Sequence, residues 1–221
     1  MPPTTPADKT RRAYRSPRRT AQAQRTREHI IAAATQHFAA HGYVATTIRA
    51  IATAAGVSIP AVELAFGTKA QLLKTSIDVA IAGDDAPVPV LDRDWAAQAQ
   101  ATVTTDEFLA AVGRVLRPAM VRSARLVVAA FEAASTDPGI RDLADRLALQ
   151  RAITAAWIVD GIRQRAALHP GLTRRRAIDQ VWLLMDPAVF ERLTTYRRWS
   201  PREYERWFTD SAVRLLVGHA N

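Results

Sequence analysis

Between residues 42 and 58 the chain spaces Gly42, Thr47, Gly56 and Ser58 so that two short helices must meet across a tight turn. This spacing restricts the fold more than any other feature. Thr47 is an N-cap for a helix over 48–55, since its hydroxyl can accept from the free amides that open a helix. Gly56 can take the positive φ that reverses the chain. Val57 inserts between the two helices, and Ser58 caps a third whose first turn tolerates Pro60. Phe38, Ile51, Ala52, Val57, Val62 and Phe66 then close a miniature core and leave one face of the third helix exposed. The layout is a helix-turn-helix. Such a corner also occurs in helical proteins that never touch DNA, so the corner alone leaves a purely structural role open.

Helical periodicity continues on both sides of the corner. Ile30, Ala34 and Phe38 share one face of a helix that stops at Gly42, and Thr68 caps a fourth helix from Lys69 to about Ala82. Gly83-Asp84-Asp85-Ala86-Pro87-Val88-Pro89 cannot continue it, and residues 83–94 read as a linker. The capping box Thr104-Thr105-Asp106-Glu107 opens a helix presenting Phe108, Val112, Val115 and Ala119, which Pro118 should kink or end before a segment from Met120 to Ala134. Asp137-Pro138 starts another that runs to about Leu168, where His169-Pro170-Gly171 breaks the chain. Thr173 caps a helix through Met185, Asp186-Pro187 opens a short one, and Ser200-Pro201-Arg202-Glu203 is a capping box for a last helix to Val217. The expected fold is all-α, with an N-terminal three-helix helix-turn-helix domain and a second, C-terminal helical domain. The expected boundaries are a flexible basic arm over 1–24, a DNA-binding domain over 25–82, the linker, and a second domain over 95–221.

Charge is concentrated at one end. Residues 1–28 hold eight Lys and Arg against Asp8 and Glu28, a net +6 of the chain's +9. The same stretch carries Pro2, Pro3, Pro6 and Pro17 among Thr, Ser and Gln, too little apolar surface to fold alone. Such an arm either binds nucleic acid or anionic membrane through counterion release, or serves as a solubilising tail. The sequence has no Cys, which excludes disulfides, Cys-based metal sites and thiol chemistry. The longest stretch free of Asp, Glu, Lys and Arg, His29 to Ile48, contains three His and is no membrane span, and no secretory signal opens the chain. A cytoplasmic protein is expected.

The order of residues across the first domain carries more. Ile31-Ala32-Ala33-Ala34, Phe38, Gly42-Tyr43, Thr46-Thr47-Ile48, Ile51-Ala52, Ala55-Gly56-Val57-Ser58, Phe66, and Lys69 with Leu72-Leu73 closely resemble the DNA-binding domain of the tetracycline-repressor (TetR) family of bacterial regulators. The resemblance covers about residues 27–76; further on, Trp199-Ser200-Pro201, Tyr204 and Trp207 look like the tail of many such proteins. It implies an all-helical homodimer, most simply a repressor, that binds a palindromic operator in double-stranded DNA and releases it, or changes its grip, when a small molecule enters the second domain, which then serves for effector binding and dimerisation. Thr47 and Lys69 match positions that grip phosphates, and Arg49 one that reaches the DNA. The third helix, from its cap Ser58, would present Ile59, Pro60, Ala61, Glu63 and Leu64 to the major groove, with Arg25 and Arg27 also among the DNA-binding residues. Two positions depart from the family: Glu63 stands where Tyr is usual, and Pro60 where Gly is common. That leaves two readings. A mostly apolar surface with one acid can read thymine methyls and a cytosine amine with help from the arm; alternatively the DNA-binding domain is weakened or vestigial and the chain is an effector-binding or interaction module.

Elsewhere, His37 and His41 have the i,i+4 spacing of a metal pair without an evident third ligand, and neither metal nor other cofactor is expected. Arg114, Arg117, Val121 and Arg125 trace a helical stripe that is either a solvated face or the lining of a site for an acidic effector. Phe108, Val112, Met120, Phe131 and Trp157, with Asp160 as polar anchor, are expected to line the effector pocket. The stripes of Ala177, Val181 and Leu184 and of Ile178, Trp182 and Met185, with Trp207, Phe208 and Leu215 of the last helix, are expected to form the dimer interface. No Gly-rich phosphate loop, nucleophile elbow or carboxylate–histidine cluster points to catalysis.

Overall fold

The computed structural model describes residues 17–218, with side chains from residue 21. Among these, all regular structure is helical: α1 (Pro17–Ala45), α2 (Ile48–Ala55), α3 (Ile59–Phe66), α4 (Lys69–Ala82), α5 (Asp94–Gln100), α6 (Thr105–Ala133), α7 (Pro138–Arg163), α8 (Arg174–Leu184), α9 (Pro187–Glu191) and α10 (Pro201–Leu216). A single π-helical turn, Arg192–Tyr196, follows α9. Thr47, Ser58, Thr68, Thr104, Asp137, Thr173, Asp186 and Ser200 each accept a backbone N–H at the start of a helix, and Thr104 and Ser200 complete capping boxes with Glu107 and Glu203. At Gly42 the backbone leaves the helical region (φ 72°, ψ 179°), a conformation closed to other residues, and the path of α1 bends there.

Four expectations need correction. Within the arm expected over 1–24, α1 already begins at Pro17. Its last residues are Ala and Gln, good helix formers, and Gln24 Nε2 donates to Glu28 Oε1 at 3.0 Å across one turn. Residues 1–16 of that arm lie outside the described residues. Of the two outcomes expected at Pro118, ending the helix does not occur: α6 runs 29 residues through it. Phe108, Leu109 and Val112 before the proline and Met120, Ala124 and Leu126 after it are all buried. Burial on both sides outweighs the ~3 kcal/mol cost of an internal proline. The short α5 was not anticipated; its terminal carbonyls are capped from far along the chain, Arg165 Nη2 donating to Gln100 O at 2.7 Å and Thr102 O at 3.0 Å. Finally, α7 ends at Arg163 rather than near Leu168, because the chain there pairs with the end of α10, His169 N donating to Leu216 O at 2.9 Å.

The two hydrophobic cores do not divide at the linker. Ile30, Phe38, Ile51, Val62, Leu72 and Ile77 of the first four helices pack with Leu126, Val127 and Ala130 of α6 and with Ile140, Leu143 and Leu147 of α7. A second cluster joins Phe108, Ile158, Val181, Tyr204 and Phe208 from α6, α7, α8 and α10. The far end of α6 and the first turns of α7 are therefore part of the core beneath the helix-turn-helix.

Candidate nucleic-acid interface and the neighbouring cavity

α2 and α3 meet at 104°, within the range that characterises helix-turn-helix pairs. The corner is built by short-range bonds. Gly56 is left-handed (φ 68°, ψ 32°), and Val57 N donates to Ala52 O at 3.0 Å, closing a Schellman-type turn. Thr47 Oγ1 accepts from Ala50 N at 3.1 Å, and Ser58 Oγ accepts from Ala61 N at 3.3 Å. Val62 and Phe66 point into the core, which leaves Pro60, Glu63 and Leu64 exposed on the opposite face of α3. Leu64 is 91% exposed, an unusual position for a leucine unless a partner covers it. Ile59 and Ala61 are half-buried, Ile59 against the core, while Thr47, Arg49, Ser58 and Arg25 are exposed.

Two of the expected phosphate contacts are otherwise engaged. Lys69 Nζ donates to Tyr43 O at 2.9 Å and Thr46 O at 3.0 Å and lies 4.1 Å above the Tyr43 ring. It closes the end of α1, leaving one ammonium N–H for an outside acceptor; burial lowers its pKa, and the Asp137 charge works in the opposite direction. Arg27 is not a free cation: its Nε pairs with Asp85 at 2.7 Å, and its guanidinium covers Phe66 at 4.7 Å, fastening α1 to the linker. Sequence spacing could not reveal that pair, whose members are 58 residues apart.

Three of the residues expected to line the effector pocket pack into the second core. Phe108, Val112 and Met120 are buried. The Trp157 ring lies 5.4 Å from Phe108 and 5.5 Å from Trp95. Gly161 sits so tightly on the Phe108 ring that a Cβ at that position would overlap it. Asp160 does not anchor a ligand there, since it turns outward to Arg174, whose Nε and Nη2 donate at 2.8 and 2.6 Å. That pairing is the main reason its carboxyl pKa is lowered. Phe131 of the set lines the open space beside α1.

That space is a cleft of about 770 Å³ bounded by α1 from Phe38 to Gly42, by α6, and by the stretch from Trp182 to Tyr196. Arg151 of α7 lies on its wall, paired through Nη2 with Asp186 at 2.9 Å, stacked 3.8 Å from Trp182 and 5.9 Å from Phe131. The sequence held a signal for this site in Arg125, the end of the noted stripe, which lines the cleft and pairs with Glu191 at 3.1 Å. The role of Arg151 had no such signal.

The expected dimer face is likewise redistributed. Ala177, Val181, Leu184 and Phe208 are buried within the protomer, because α8 turns that stripe toward α7 and α10. Trp182 belongs to the cleft, and Trp207 packs edge-on to Trp199 at 6.2 Å. Leu215 is 44% exposed and is the expected interface residue that remains an open apolar side chain. His37 and His41 have ring centroids 5.8 Å apart, and among the described residues no third His, Asp or Glu joins them in a metal-sized group. No described helix is by itself long and apolar enough to cross a membrane.

Residues 30–75 match the family described as bacterial regulatory proteins, tetR family. No curated protein matches the sequence. Among solved structures, a protein from Saccharomonospora viridis in complex with choline is similar at a TM-score of 0.65 and 16% identity, covering 89% of this chain and 100% of that one. The fatty acid degradation regulator FadR from Bacillus halodurans has a TM-score of 0.64 at 15% identity, with 85% and 94% covered. NalD of Pseudomonas aeruginosa, the secondary repressor of a multidrug efflux pump, has a TM-score of 0.62 at 21% identity, with 89% and 98% covered.

Proposed function

We propose that the chain, whose residues 30–75 match the tetR family of bacterial regulatory proteins, is a ligand-responsive repressor of that family that binds a palindromic operator as a dimer. The observation that carries this reading is the 104° corner with Pro60, Glu63 and Leu64 exposed on its second helix. An apolar tip of this kind suits thymine methyls, and Glu63 can accept from a cytosine amine. Exposed Thr47 and Arg49 at the start of α2 and the last N–H of Lys69 supply phosphate contacts. The structural similarity to NalD, a repressor, and to a choline-bound protein supports repression and effector binding. A gel shift against the chain's own upstream region tests the reading. Absence of any sequence preference at moderate salt overturns it.

Glu63 favours a second reading, an effector-binding module whose DNA binding has been lost, since an acid on the exposed face of α3 repels phosphates. It predicts the same small-molecule behaviour with no shift on any duplex.

A further inference from the structure

The cleft between α1 and the second core has the composition of a ligand site that no expectation placed there. Its volume, about 770 Å³, lies in the range of small-molecule sites. Phe131, 38% exposed, and Tyr196, 78% exposed, stand on its rim, with Trp182 on the wall. Part of that wall is the π-helical turn Arg192–Tyr196, a backbone form found preferentially at functional sites. Among the charged side chains that line the cleft, Arg125 pairs with Glu191. Arg151 keeps unfilled bonding capacity. Its side chain is only 10% exposed, a single carboxylate, Asp186, pairs with it through Nη2, and its buried Nε has no acceptor.

We infer that this cleft binds a small aromatic carboxylate, its ring between Phe131, Trp182 and Tyr196 and its carboxylate on the guanidinium of Arg151. A cationic ligand is disfavoured because Arg151 already occupies the face of Trp182 at 3.8 Å. A neutral ring would bury against the aromatics but leave the cation short of acceptors, whereas a carboxylate makes charge-assisted bonds to it. Burial lowers the Arg151 pKa more than Asp186 restores it, as expected of a cation with too little compensating charge.

The location gives occupancy a direct route to the DNA-binding domain. The residues of α1 that line the cleft, Phe38 to Gly42, run straight into the left-handed break at Gly42 and then Tyr43, the residue that holds Lys69. A ligand wedged between α1 and α6 would bias the angle between the helix-turn-helix and the second core, and by linkage would bind one DNA affinity state more tightly. This part rests on the regulator reading; the binding site itself does not.

The test uses the full chain with 2-naphthoate as probe and 2-naphthamide as its neutral isostere, in equilibrium dialysis and thermal shift. Saturable naphthoate binding is expected, at least about tenfold tighter than the amide. Arg151→Gln should remove that preference. Because Arg151→Gln strands Asp186 and can lower stability, Val128→Phe provides a second arm, filling the cleft from α6 without removing any partner. Loss of the acid preference in Arg151→Gln and of naphthoate binding in Val128→Phe, each still folded by circular dichroism, supports the site, and a preference that persists in folded Arg151→Gln overturns it. Equal affinity for acid and amide, unchanged binding in folded Val128→Phe, or no naphthoate binding by the wild type overturns it. A gel shift without ligand reads the regulator proposal separately: a protein that shifts its operator but ignores naphthoate loses only this inference, and one that binds naphthoate but no DNA loses only the other.

Discussion

The Tyr43 hydroxyl donates to Asp137 Oδ2 at 2.9 Å, across 94 residues of sequence. Asp137 is also the N-cap of α7, accepting from Gly139 N at 2.8 Å, and the Tyr43 carbonyl accepts from Lys69. One residue, through its hydroxyl and its carbonyl, thus ties the turn between α6 and α7 to the end of α1 and to the start of α4.

Removing that hydroxyl should loosen the joint without unfolding either core. Tyr43→Phe keeps the ring on Phe38, 6.1 Å between centroids, and leaves the cap intact. The expected loss is about 0.5–1 kcal/mol, at the low end for a hydrogen bond because Asp137 is partly open to solvent. Urea unfolding measures it. A loss of several kcal/mol would mean that the ring, not the bond, had been disturbed.

The pH dependence of stability has two arms. The bond from Tyr43 is the chief cause holding the Asp137 carboxyl below its usual pKa, so its contribution is full above the unfolded value of about 3.9 and is lost as pH falls through the folded one. Burial raises the phenol of Tyr204, which donates to Leu184 O at 2.8 Å, so that stabilisation is full below the unfolded value of about 10 and is lost as pH rises toward the folded one. Thermal melts should therefore fall on the alkaline side in the wild type. The fall should be shallower, from a lower starting point, in Tyr204→Phe.

Gly161→Ala reports on whether the Phe108–Trp157 region is packed core. The added methyl overlaps the Phe108 ring, and overpacking should cost about 1–3 kcal/mol or more. Phe108→Leu in the same chain should recover part of it, since the smaller side chain makes room. If Gly161→Ala is neutral in calorimetry, the region is looser than described and the expected pocket regains its claim.

On DNA, the contacts separate by salt. Arg49→Ala should flatten the slope of log affinity against log salt by about 0.9 for one lost phosphate contact, and deletion of residues 1–16, which removes Lys9, Arg11, Arg12 and Arg15, by more if the arm engages. Leu64→Ala should leave the slope alone and weaken discrimination at one base pair by about 1–3 kcal/mol. Fluorescence anisotropy over a salt series reads all three, and a Leu64 variant with unchanged preference would remove α3 from the groove.

Assembly is tested at Leu215, the exposed apolar residue that α10 retains from the expected interface. Leu215→Glu should shift sedimentation toward monomer if the dimer forms there, whereas Phe208→Glu should unfold the protomer, being buried in its core. A dimeric Leu215→Glu places the contact on another face.

What the sequence determined by itself is local. Eight N-caps, both capping boxes and the left-handed Gly56 could be read in advance because each is settled within about three residues by a hydroxyl or carboxylate and the nearest free amides. The exposed face of α3 followed, because an eight-residue helix with Val62 and Phe66 inside has few other ways to lie. Tertiary structure decided what depends on competition between distant partners. Both stripes of α8 are apolar, and only packing against α7 and α10 chose Ala177, Val181 and Leu184 for the core. Asp160 looked like a pocket anchor until Arg174, fourteen residues on, took it outward, and Arg27 looked free until Asp85 arrived. Pro118 obeyed burial rather than propensity. The cleft came from four places far apart in the chain, so no spacing within any one of them could announce it.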